Sequence, residues 1–451
     1  MNGHMNDRMN DQAHYHSVLV LGASGLIGRF VTDDLRARGF HAIGVARHFA
    51  ASQKNSSLDL EMPILPLPAV ALARLLRDHA VDVIVNCLGV LQDGPGSDTG
   101  AVHRDFVARL LQGINDSGRK VRLIHISIPG AASEDRTAFA TTKRAAEALI
   151  AASNTAYAIL RPGFVIAPSA YGGSAMIRAL AAFPIDLPVR ESATPFQPVA
   201  VEAIAETIAW LAARDGGDTA LDAVTWDLMQ GESLTLGGVI EQFRQALGTG
   251  AGPRIRPPSF LLDFGAILGD LATRLGWMPP MRTTAIAELR RGVSGDPRPW
   301  MKTTGIVPRP LADIVGRRSA TIQDKWFARL FLIKALVIAS LALFWIASGF
   351  IALVISFPAT RAILTSHGFA PALAGPFAAV TSLMDIGIGC LIAVRRTAAF
   401  GLIAGMLVSL GYMAGTAVLI PDLWIEPLGA LVKTGPAIVL MAVALLTLDN
   451  R

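Results

Sequence analysis

The chain has 451 residues and a formal net charge of +5; 52% of its residues are hydrophobic and only 17% are charged, against about 25% in a typical soluble domain. Its 40 basic and 35 acidic side chains are unevenly distributed, because 11 of them lie in residues 326–451 and the other 64 in residues 1–325. This distribution predicts a soluble N-terminal part, residues 1–325, joined to a membrane-embedded C-terminal part, residues 326–451. No basic tract is dense enough to indicate a nucleic-acid partner, and no metal site is predicted. Residues 1–16 are polar and lack the apolar core of a signal peptide, so we predict a disordered tail there.

An apolar strand, Ser17–Leu21, is followed by a turn with three glycines and then by an amphipathic helix. Glycines at this spacing between a strand and a helix are typical of a dinucleotide site: Gly22 allows the tight turn, Gly25 the approach of a diphosphate, and Gly28 the packing of the helix. The helix N-terminus supplies positive potential to the phosphates. The predicted cofactor contacts in this turn are Gly22, Ala23, Ser24, Gly25, Leu26, Ile27 and Gly28.

Further apolar strands follow at the spacing of an α/β protein. They are predicted over residues 41–47, 81–89, 121–127 and 156–166, and helical stretches such as Val102–Ser117 and Ala138–Ser153 separate most of them. Continuous apolar strands of this kind suit a parallel sheet covered by helices on both faces. We therefore predict an α/β fold.

The end of the second strand bears on the choice of cofactor. An acidic residue there would bind the adenine ribose of NAD, but the sequence has Arg47, and no carboxylate follows before Asp59. A guanidinium favours the 2′-phosphate of NADP through charge-assisted bonds. We therefore predict NADP(H), with NAD(H) as the alternative if Arg47 is only a solvated cation.

The motifs GASGLIG, NCLG and LRPGFVIAP, in this order and spacing, resemble the short-chain dehydrogenase/reductase family. Its extended and atypical branches, which include the nucleotide-binding accessory subunit of respiratory complex I, are the most similar. The resemblance covers residues 17–315. It implies an NAD(P)-binding Rossmann-type doubly wound parallel sheet over residues 17–220 and a small C-terminal substrate-side lobe with a linker over residues 221–320. It also implies that Asp59, after the third strand, borders the adenine, and that Gly89 borders the nicotinamide ribose.

In that family a tyrosine acts as general acid–base, a lysine four residues later lowers its pKa and binds the ribose, and a serine orients the substrate. By position Ser127 matches the serine and Lys143 the lysine, but Phe139 stands at the tyrosine position, in the segment TAFATTKRAAEA. A benzyl side chain has no titratable proton and cannot supply the acid–base step. Ser127 as a strand-end cap and Lys143 as a plain surface lysine remain open. Tyr171 is the only tyrosine placed to reach a substrate cleft, although packing on the lobe is the more ordinary role.

Four apolar segments in residues 326–451 are long enough to cross a hydrocarbon core, which needs about 20 residues. They cover 335–357, 370–394, 397–420 and 427–448. Basic residues favour cytoplasmic ends; here they precede the first segment and fill the loop between the second and third, and they are Arg317, Arg318, Lys325, Arg329, Arg395 and Arg396. We therefore predict a multi-pass protein of a bacterial-type inner (cytoplasmic) membrane, with both termini and the nucleotide-binding domain cytoplasmic.

The segments WFARLFLIKALVIASLALFWIASGF, DIGIG and EPLGALVKTGPAIVLM resemble the DoxX-like four-helix family. Some of its relatives are tied to quinone or thiol-redox chemistry. Two of the apolar segments carry an ionisable residue, Asp385 and Lys433, and a charge at such depth costs about 2.5–3.5 kcal/mol unless it is paired or hydrated. Three alternatives are open. The two residues form a structural ion pair, or Lys433 extends to the membrane surface from near a helix end, or the two residues line a polar pocket for a quinone or a proton.

Residues 258–280 are amphipathic but contain Asp263, Asp270 and Arg274, so they are not expected to span a membrane. We interpret them as a helix of the lobe; a helix on the membrane surface is the alternative. Taken together, the two halves predict an oxidoreductase that binds NADP(H) and reduces a quinone or another membrane-soluble acceptor without the usual tyrosine. The alternative is a non-catalytic nucleotide-binding sensor or assembly factor. The third hypothesis is a small transporter regulated by the nucleotide-binding domain.

Overall fold

The computed structural model describes residues 16–50, 53, 56–94, 96–170, 172–214, 221–250, 252–316, 320–425, 429 and 431–448. The predicted tail, except for residue 16, lies outside the described residues, as do Tyr171, Arg317 and Arg318. The chain divides into two compact units. The first comprises Met1–Ile267 and Pro280–Lys325, and the second comprises Leu268–Pro279 and Trp326–Arg451.

Nine strands form in the described part of the first unit. They are β1 (Ser17–Leu21), β2 (His41–Ala46), β3 (Asp59–Glu61), β4 (Val83–Asn86), β5 (Arg122–Ile126), β6 (Tyr157–Pro162), β7 (Phe164–Ile166), β8 (Pro198–Ala200) and β9 (Ala223–Leu228). Seven of them form one sheet in the order β3-β2-β1-β4-β5-β6-β9, and every pairing in it is parallel. The predicted doubly wound α/β fold is therefore confirmed.

Helices connect and cover these strands; they lie in the first unit except for Ser259–Arg274, whose residues from Leu268 onward belong to the second unit. They are α1 (Leu26–Ala37), α2 (Ala69–Asp78), α3 (Phe106–Ser117), α4 (Ala138–Ala151), α5 (Gly173–Ala182), α6 (Val189–Ser192), α7 (Val201–Ala212), α8 (Leu236–Leu247), α9 (Ser259–Arg274), α10 (Thr283–Arg291), α11 (Arg298–Thr304) and α12 (Leu311–Gly316). A widened helical turn, Ala101–Asp105, leads directly into α3. Alternate residues of β1 supply both layers of the core: Val18 and Val20 pack with α1 and α7, and Leu19 and Leu21 pack with α2 and α3, as the two-residue period of a strand requires.

The strand order reverses beside β1, which pairs with β2 on one side and β4 on the other. In parallel sheets the crevice outside the carboxyl ends of the strands at such a reversal is where ligands bind. Leu21 and Asn86, the last residues of β1 and β4, lie level with His125, the last residue but one of β5. The segments that follow them therefore meet at one edge of the sheet.

The sequence-based boundaries differ from the structure in two places. The predicted strand 156–166 is two strands, β6 and β7, separated by Gly163, where an added Cβ would lie 2.3 Å from Gln197 O; β7 leaves the main sheet and pairs with β8. Strand β9 lies in the segment 221–320 that was assigned to the lobe, but it pairs with β6. The main sheet thus extends into that segment, because a six-stranded sheet would leave β6 as an open edge.

The second unit contains most of the apolar helices. They are α13 (Ile322–Phe350), α14 (Phe357–Ser366), α15 (Pro371–Ala393), α16 (Ala398–Leu419) and α17 (Thr434–Leu446), and a widened turn extends α13 through Ile351–Ile355. Among the described residues, three helices are long and apolar enough to cross a membrane: Ile322–Ile355, Pro371–Ala393 and Ala398–Leu419. Glycines allow α13 and α15 to pack closely. A Cβ added at Gly349 would lie 2.3 Å from Ser382 O, and one added at Gly389 would lie 2.8 Å from Ala342 O.

The fourth predicted segment, 427–448, forms a shorter helix than expected. Of this segment, residues 427, 428 and 430 lie outside the described residues, and α17 begins only at Thr434 and has 13 residues. Pro436 lies in its first turn, where its missing N–H costs nothing, but its ring disfavours a continuous helix through the preceding residues. The helix therefore starts at Thr434, two residues before this proline, rather than at residue 427.

Candidate nucleotide-binding site

The turn between β1 and α1 is held on the neighbouring strand by its own backbone. The N–H groups of Gly22 and Ala23 donate to Val45 O over 2.9 and 3.0 Å, and the Gly25 N–H donates to Gly22 O over 2.9 Å. Gly22 has a φ of +83°, which side chains disfavour, and Ser24 is half-buried beside it. This is the tight turn that the sequence assigned to Gly22.

Gly25 and Gly28 have different surroundings. A Cβ at Gly28 would lie 2.3 Å from Gly22 O and 2.8 Å from Gly22 C, whereas a Cβ at Gly25 would meet only Gly22 O, at 3.2 Å. Gly25 is extended and α1 starts without a side-chain cap, so the N–H groups of Leu26 and Ile27 have no partner within the helix. Close backbone access to uncapped N–H groups is what an anion needs. The turn therefore fits a dinucleotide diphosphate.

Lys143 reaches the same edge of the sheet from α4. Its Nζ donates to Ile126 O over 2.8 Å and to Leu88 O over 3.2 Å, and the side chain is 4% exposed. A Cβ at Gly89 would lie 3.5 Å from this Nζ, so the structure brings together the two residues predicted to contact the nicotinamide ribose. An ammonium has three N–H donors, and one is left for a ligand. Burial lowers the pKa of Lys143 to about 8.

Phe139 lies in the first turn of α4. Thr137 caps this helix by accepting a hydrogen bond from the Ala140 N–H over 3.1 Å, and Phe139 and Lys143, four residues apart, share one face. The Phe139 ring lies edge-on to the His103 ring, with 5.6 Å between centroids. The aromatic position that the family fills with a phenol therefore holds only a hydrocarbon ring.

His103 is a site residue that the sequence analysis missed. Its Nε2 accepts a hydrogen bond from the Val90 N–H over 3.1 Å and its Nδ1 lies 2.8 Å from Thr142 Oγ1. Because Nε2 is an acceptor, Nδ1 carries the proton and donates a hydrogen bond to the Thr142 hydroxyl. That hydroxyl in turn donates a hydrogen bond to Ala138 O. Burial lowers the pKa of His103 to about 3. This imidazole is neutral at physiological pH and does not replace the missing phenol as an acid.

Ser127 follows β5 directly and is 5% exposed. Its hydroxyl is too far from any described partner for a hydrogen bond of ordinary length, but it helps to lower the pKa of Glu147. Burial by itself would raise the pKa of Glu147; hydrogen bonds from Arg161, at 2.5 and 2.9 Å, and from Arg144, at 3.1 Å, outweigh it and lower the pKa. Ser127 therefore lies near the ion pairs that Glu147 forms with Arg144 and Arg161.

Arg47 and Asp59 occupy different environments. Arg47 follows β2 directly and is exposed, at the strand end predicted for a 2′-phosphate contact. Asp59 begins β3, opposite Gly44, and does not follow the strand as predicted. Its side chain is 3% exposed and pairs with Arg36 of α1 over 2.9 Å. An ion pair with the covering helix allows a carboxylate inside the strand, so the position after the third strand that the resemblance implied for Asp59 is wrong.

Glu61 is the carboxylate that does lie at this edge. It ends β3 opposite Ala46, the last residue of β2. Its Oε1 accepts a hydrogen bond from the Phe49 N–H over 3.1 Å and contacts the His48 ring. The sequence alone did not indicate this residue, because the pairing of β3 with β2 brings it next to Arg47.

Comparison with known proteins identifies both parts of the chain. Residues 18–183 match the NAD dependent epimerase/dehydratase family, and residues 342–442 match the DoxX-like family. The chain joins an epimerase/dehydratase-type Rossmann domain to a DoxX-like domain. The resemblances stated from the sequence are therefore confirmed, and among curated proteins no sequence matches the chain significantly.

The epimerase/dehydratase-type domain is similar in fold to enzymes of known structure. A UDP-glucose 4-epimerase from Thermotoga maritima, solved with UDP-glucose, has 16% sequence identity and a TM-score of 0.51, and the match covers 71% of this chain and 99% of the epimerase. The Bordetella bronchiseptica enzyme WbmG, solved with NAD, has 15% identity and a TM-score of 0.50, covering 69% of this chain and 94% of the enzyme. At these identities the likeness concerns the fold.

The DoxX-like domain resolves one of the alternatives left open for Asp385. Its carboxylate accepts a hydrogen bond from the Tyr412 hydroxyl over 2.9 Å, and the residue is 8% exposed. Lys433 is exposed and lies directly before α17. Within the described part of the chain Asp385 is therefore partnered by a tyrosine of the next helix, so the alternative of an ion pair with Lys433 does not hold.

Proposed function

We propose that this chain is a membrane-anchored NADP(H)-binding oxidoreductase that passes hydride to an acceptor without a proton donor from the protein. One observation carries the proposal: the glycine turn and the buried Lys143 lie at the same edge of the sheet as Phe139. The groups that we propose to bind the nucleotide are present there, whereas the acid–base group is replaced by a hydrocarbon. A site of this composition favours chemistry that needs the cofactor and needs no proton from residue 139.

The missing proton donor limits the classes of reaction that the site can catalyse. Interconversion of an alcohol and a ketone, in a sugar or elsewhere, needs a group that moves the hydroxyl proton as hydride moves, and His103 and Phe139 are both unsuited to it. A quinone or a flavin differs, because it accepts hydride at an electron-poor ring and can take its proton from water. NADPH is then oxidised to NADP+, the acceptor gains the hydride, and one solvent proton completes the reduced product.

The DoxX-like domain favours an acceptor in or at the membrane. Its apolar helices hold the chain in the bilayer, and polar groups lie within them, namely the Asp385–Tyr412 pair and the buried Trp345 Nε1, which has no hydrogen-bond partner among the described residues. The basic loop after α15, with Arg395 and Arg396, favours the cytoplasmic side for that loop. We propose that the nucleotide-binding domain and both termini are cytoplasmic, where NADPH is available.

Turnover in a membrane tests the function. The full-length protein in vesicles is expected to oxidise NADPH when a short-chain quinone or a flavin is added, and Lys143→Met is expected to lower the rate at least about tenfold by removing a charge-assisted ribose contact. Lys120→Met is the matched control, because Lys120 is an exposed lysine outside the site. Absorbance at the NADPH band measures both. Tight NADPH binding without oxidation of any acceptor would contradict the redox proposal.

A second candidate function has its own support. The Phe139 ring packs on a neutral histidine whose two ring nitrogens are both hydrogen-bonded, so this part of the site resembles the packed interior of a protein. A non-catalytic nucleotide sensor or assembly factor would need only the binding half of the site. Restoring the phenol by Phe139→Tyr would then leave the protein without turnover, while nucleotide affinity stays the same.

The choice between NADPH and NADH tests the proposed role of Arg47. Arg47→Ala is expected to weaken NADPH binding by about 1.5–3 kcal/mol, which is the range for a hydrogen bond to a charged group, and to leave NADH affinity nearly unchanged. Titration calorimetry with both nucleotides measures the ratio. Arg38→Ala, in an exposed ion pair at the end of α1, is the control. Equal losses for both nucleotides would contradict a 2′-phosphate contact.

A further inference from the structure

Helix α9 exposes its large apolar side chains. The residues of this outer stripe recur every three or four positions, and their exposed fractions are 65% for Phe260, 57% for Phe264, 58% for Ile267, 49% for Leu268, 51% for Leu271 and 40% for Leu275. Residues at these spacings share one face of a helix. The stripe therefore forms a continuous apolar surface along a helix of 16 residues, about 24 Å long.

The opposite face of α9 is the one that packs on protein, and its residues are small. Ala266, Gly269 and Thr273 are buried, again at spacings of three and four. Asp263, Asp270 and Arg274 lie along one flank between the two faces. A helix on the surface of a soluble domain turns its apolar face inward, whereas α9 turns its largest apolar side chains outward. Water is a poor solvent for that face.

The end of α9 is fixed to the membrane helices of the second unit. The Arg395 N–H donates to Leu275 O over 2.9 Å, and Trp277 Nε1–H donates to Ala393 O over 2.7 Å. The Arg395 guanidinium lies 5.5 Å from the centre of the Trp277 ring. Ala393 ends α15, so residues 275–277 are tied to the end of a helix that is long enough to cross the membrane.

We propose that α9 lies along the membrane surface, with its outer stripe in the boundary between lipid headgroups and acyl chains. Leu268, Leu271 and Leu275 of the stripe belong to the second unit, which contains helices long and apolar enough to cross a membrane. Trp277 and Arg395 are of the kinds that anchor protein at this boundary, and Arg274, Arg395 and Arg396 suit anionic headgroups. The charged flank and the length of about 24 Å keep the helix from spanning. Burial of such a face by roughly 5–10 Å is typical of interfacial helices.

Spin-label accessibility in vesicles tests this placement. The full-length protein carrying Cys87→Ser and Cys390→Ser would be labelled at Phe264→Cys, Leu268→Cys or Leu271→Cys in vesicles of phosphatidylcholine and phosphatidylglycerol. Collision rates with oxygen, which concentrates in lipid, and with a water-soluble nickel chelate would be compared. Val70→Cys is the matched control, because Val70 is an apolar residue of α2 with 71% exposure. The ratio of oxygen to nickel collisions is expected to be several times higher at the three α9 positions than at Val70.

Two results would overturn the proposal. Labels on α9 that collide with nickel as readily as the label at Val70 would show that the stripe faces water. Labels shielded from both reagents, with dipolar broadening between copies, would show that a second copy covers the stripe. The three labelled residues are exposed, so their replacement removes no buried contact, and agreement between them guards against one misfolded variant. The readout does not involve NADPH, so it is independent of the proposed redox function.

Discussion

Replacing Gly28 by alanine is expected to abolish nucleotide binding. The new Cβ would lie 2.3 Å from Gly22 O and 2.8 Å from Gly22 C, and both atoms belong to a backbone that is tied to Val45 O. Either the turn or α1 must move, at a cost of about 1–3 kcal/mol for overpacking. The movement also shifts the uncapped N–H groups away from the diphosphate. Titration calorimetry with NADPH and thermal unfolding of the solubilised protein measure the two effects.

Gly25→Ala separates the two effects. Its Cβ would meet only Gly22 O, at 3.2 Å, so thermal unfolding is expected to stay close to that of the unmodified protein. The methyl group would nevertheless stand where the diphosphate approaches the backbone, and nucleotide affinity is expected to fall. Unchanged NADPH affinity in both variants would show that the nucleotide does not bind at this turn.

Features that are encoded in neighbouring residues could be predicted from the sequence. The strand Ser17–Leu21 was predicted with its observed bounds, because an apolar strand, a glycine turn and an amphipathic helix follow one another within about twenty residues. Lys143 and Gly89 were assigned to one ribose by resemblance, and the structure places them side by side. Their roles in binding remain predictions. The missing phenol at Phe139 is visible in the sequence, since it depends on one residue.

Contacts between distant residues could not be predicted in the same way. His103 bonds to Thr142, 39 residues away, and no local pattern marks a histidine on an amphipathic helix as part of a site. Glu61 reaches the end of β2 only through the pairing of β3 with β2. The burial of Asp59 depends on Arg36 of α1, a residue that sequence spacing does not connect with it.

In the membrane part, composition located the apolar segments but not the partners of their polar residues. Asp385 and Lys433 have opposite charges, and hydropathy alone made them the natural pair. The structure instead gives Asp385 a hydroxyl partner on the adjacent helix α16, because that helix packs along α15. Lys433 lies before α17 rather than within it, since the helix starts near Pro436. Pairing within a bundle follows helix packing, which the charges do not encode.

Replacing Glu147 by alanine is expected to destabilise the nucleotide-binding domain by about 3 kcal/mol, the lower end of the range for breaking a buried ion pair. The Glu147 side chain is 9% exposed and pairs with Arg161, which is 27% exposed, and with Arg144, which is 14% exposed. Arg144 keeps Asp135 as a partner over 2.9 Å. Among the described residues the Arg161 side chain hydrogen-bonds only to Glu147, and Asp227 and Asp135 act on it only as nearby charges, so the variant would leave the Arg161 guanidinium without a directly bonded carboxylate.

A double-mutant cycle and the pH dependence make this expectation specific. Removing both charges in Glu147→Ala/Arg161→Ala is expected to cost less than the sum of the single replacements, because no charge is left unpaired. Asp78→Ala is the control, since its pair with Arg74 is exposed and worth well under about 1 kcal/mol.

The pKa of Glu147 is lowered in the folded state. The contribution of Glu147 to the free energy of unfolding is therefore complete above the ordinary pKa of 4.5 and is lost as the pH falls through the lowered value. Thermal unfolding at pH 7 should therefore separate the variant from the unmodified protein, and the gap should narrow in acid; additive losses in the cycle would contradict the ion pair.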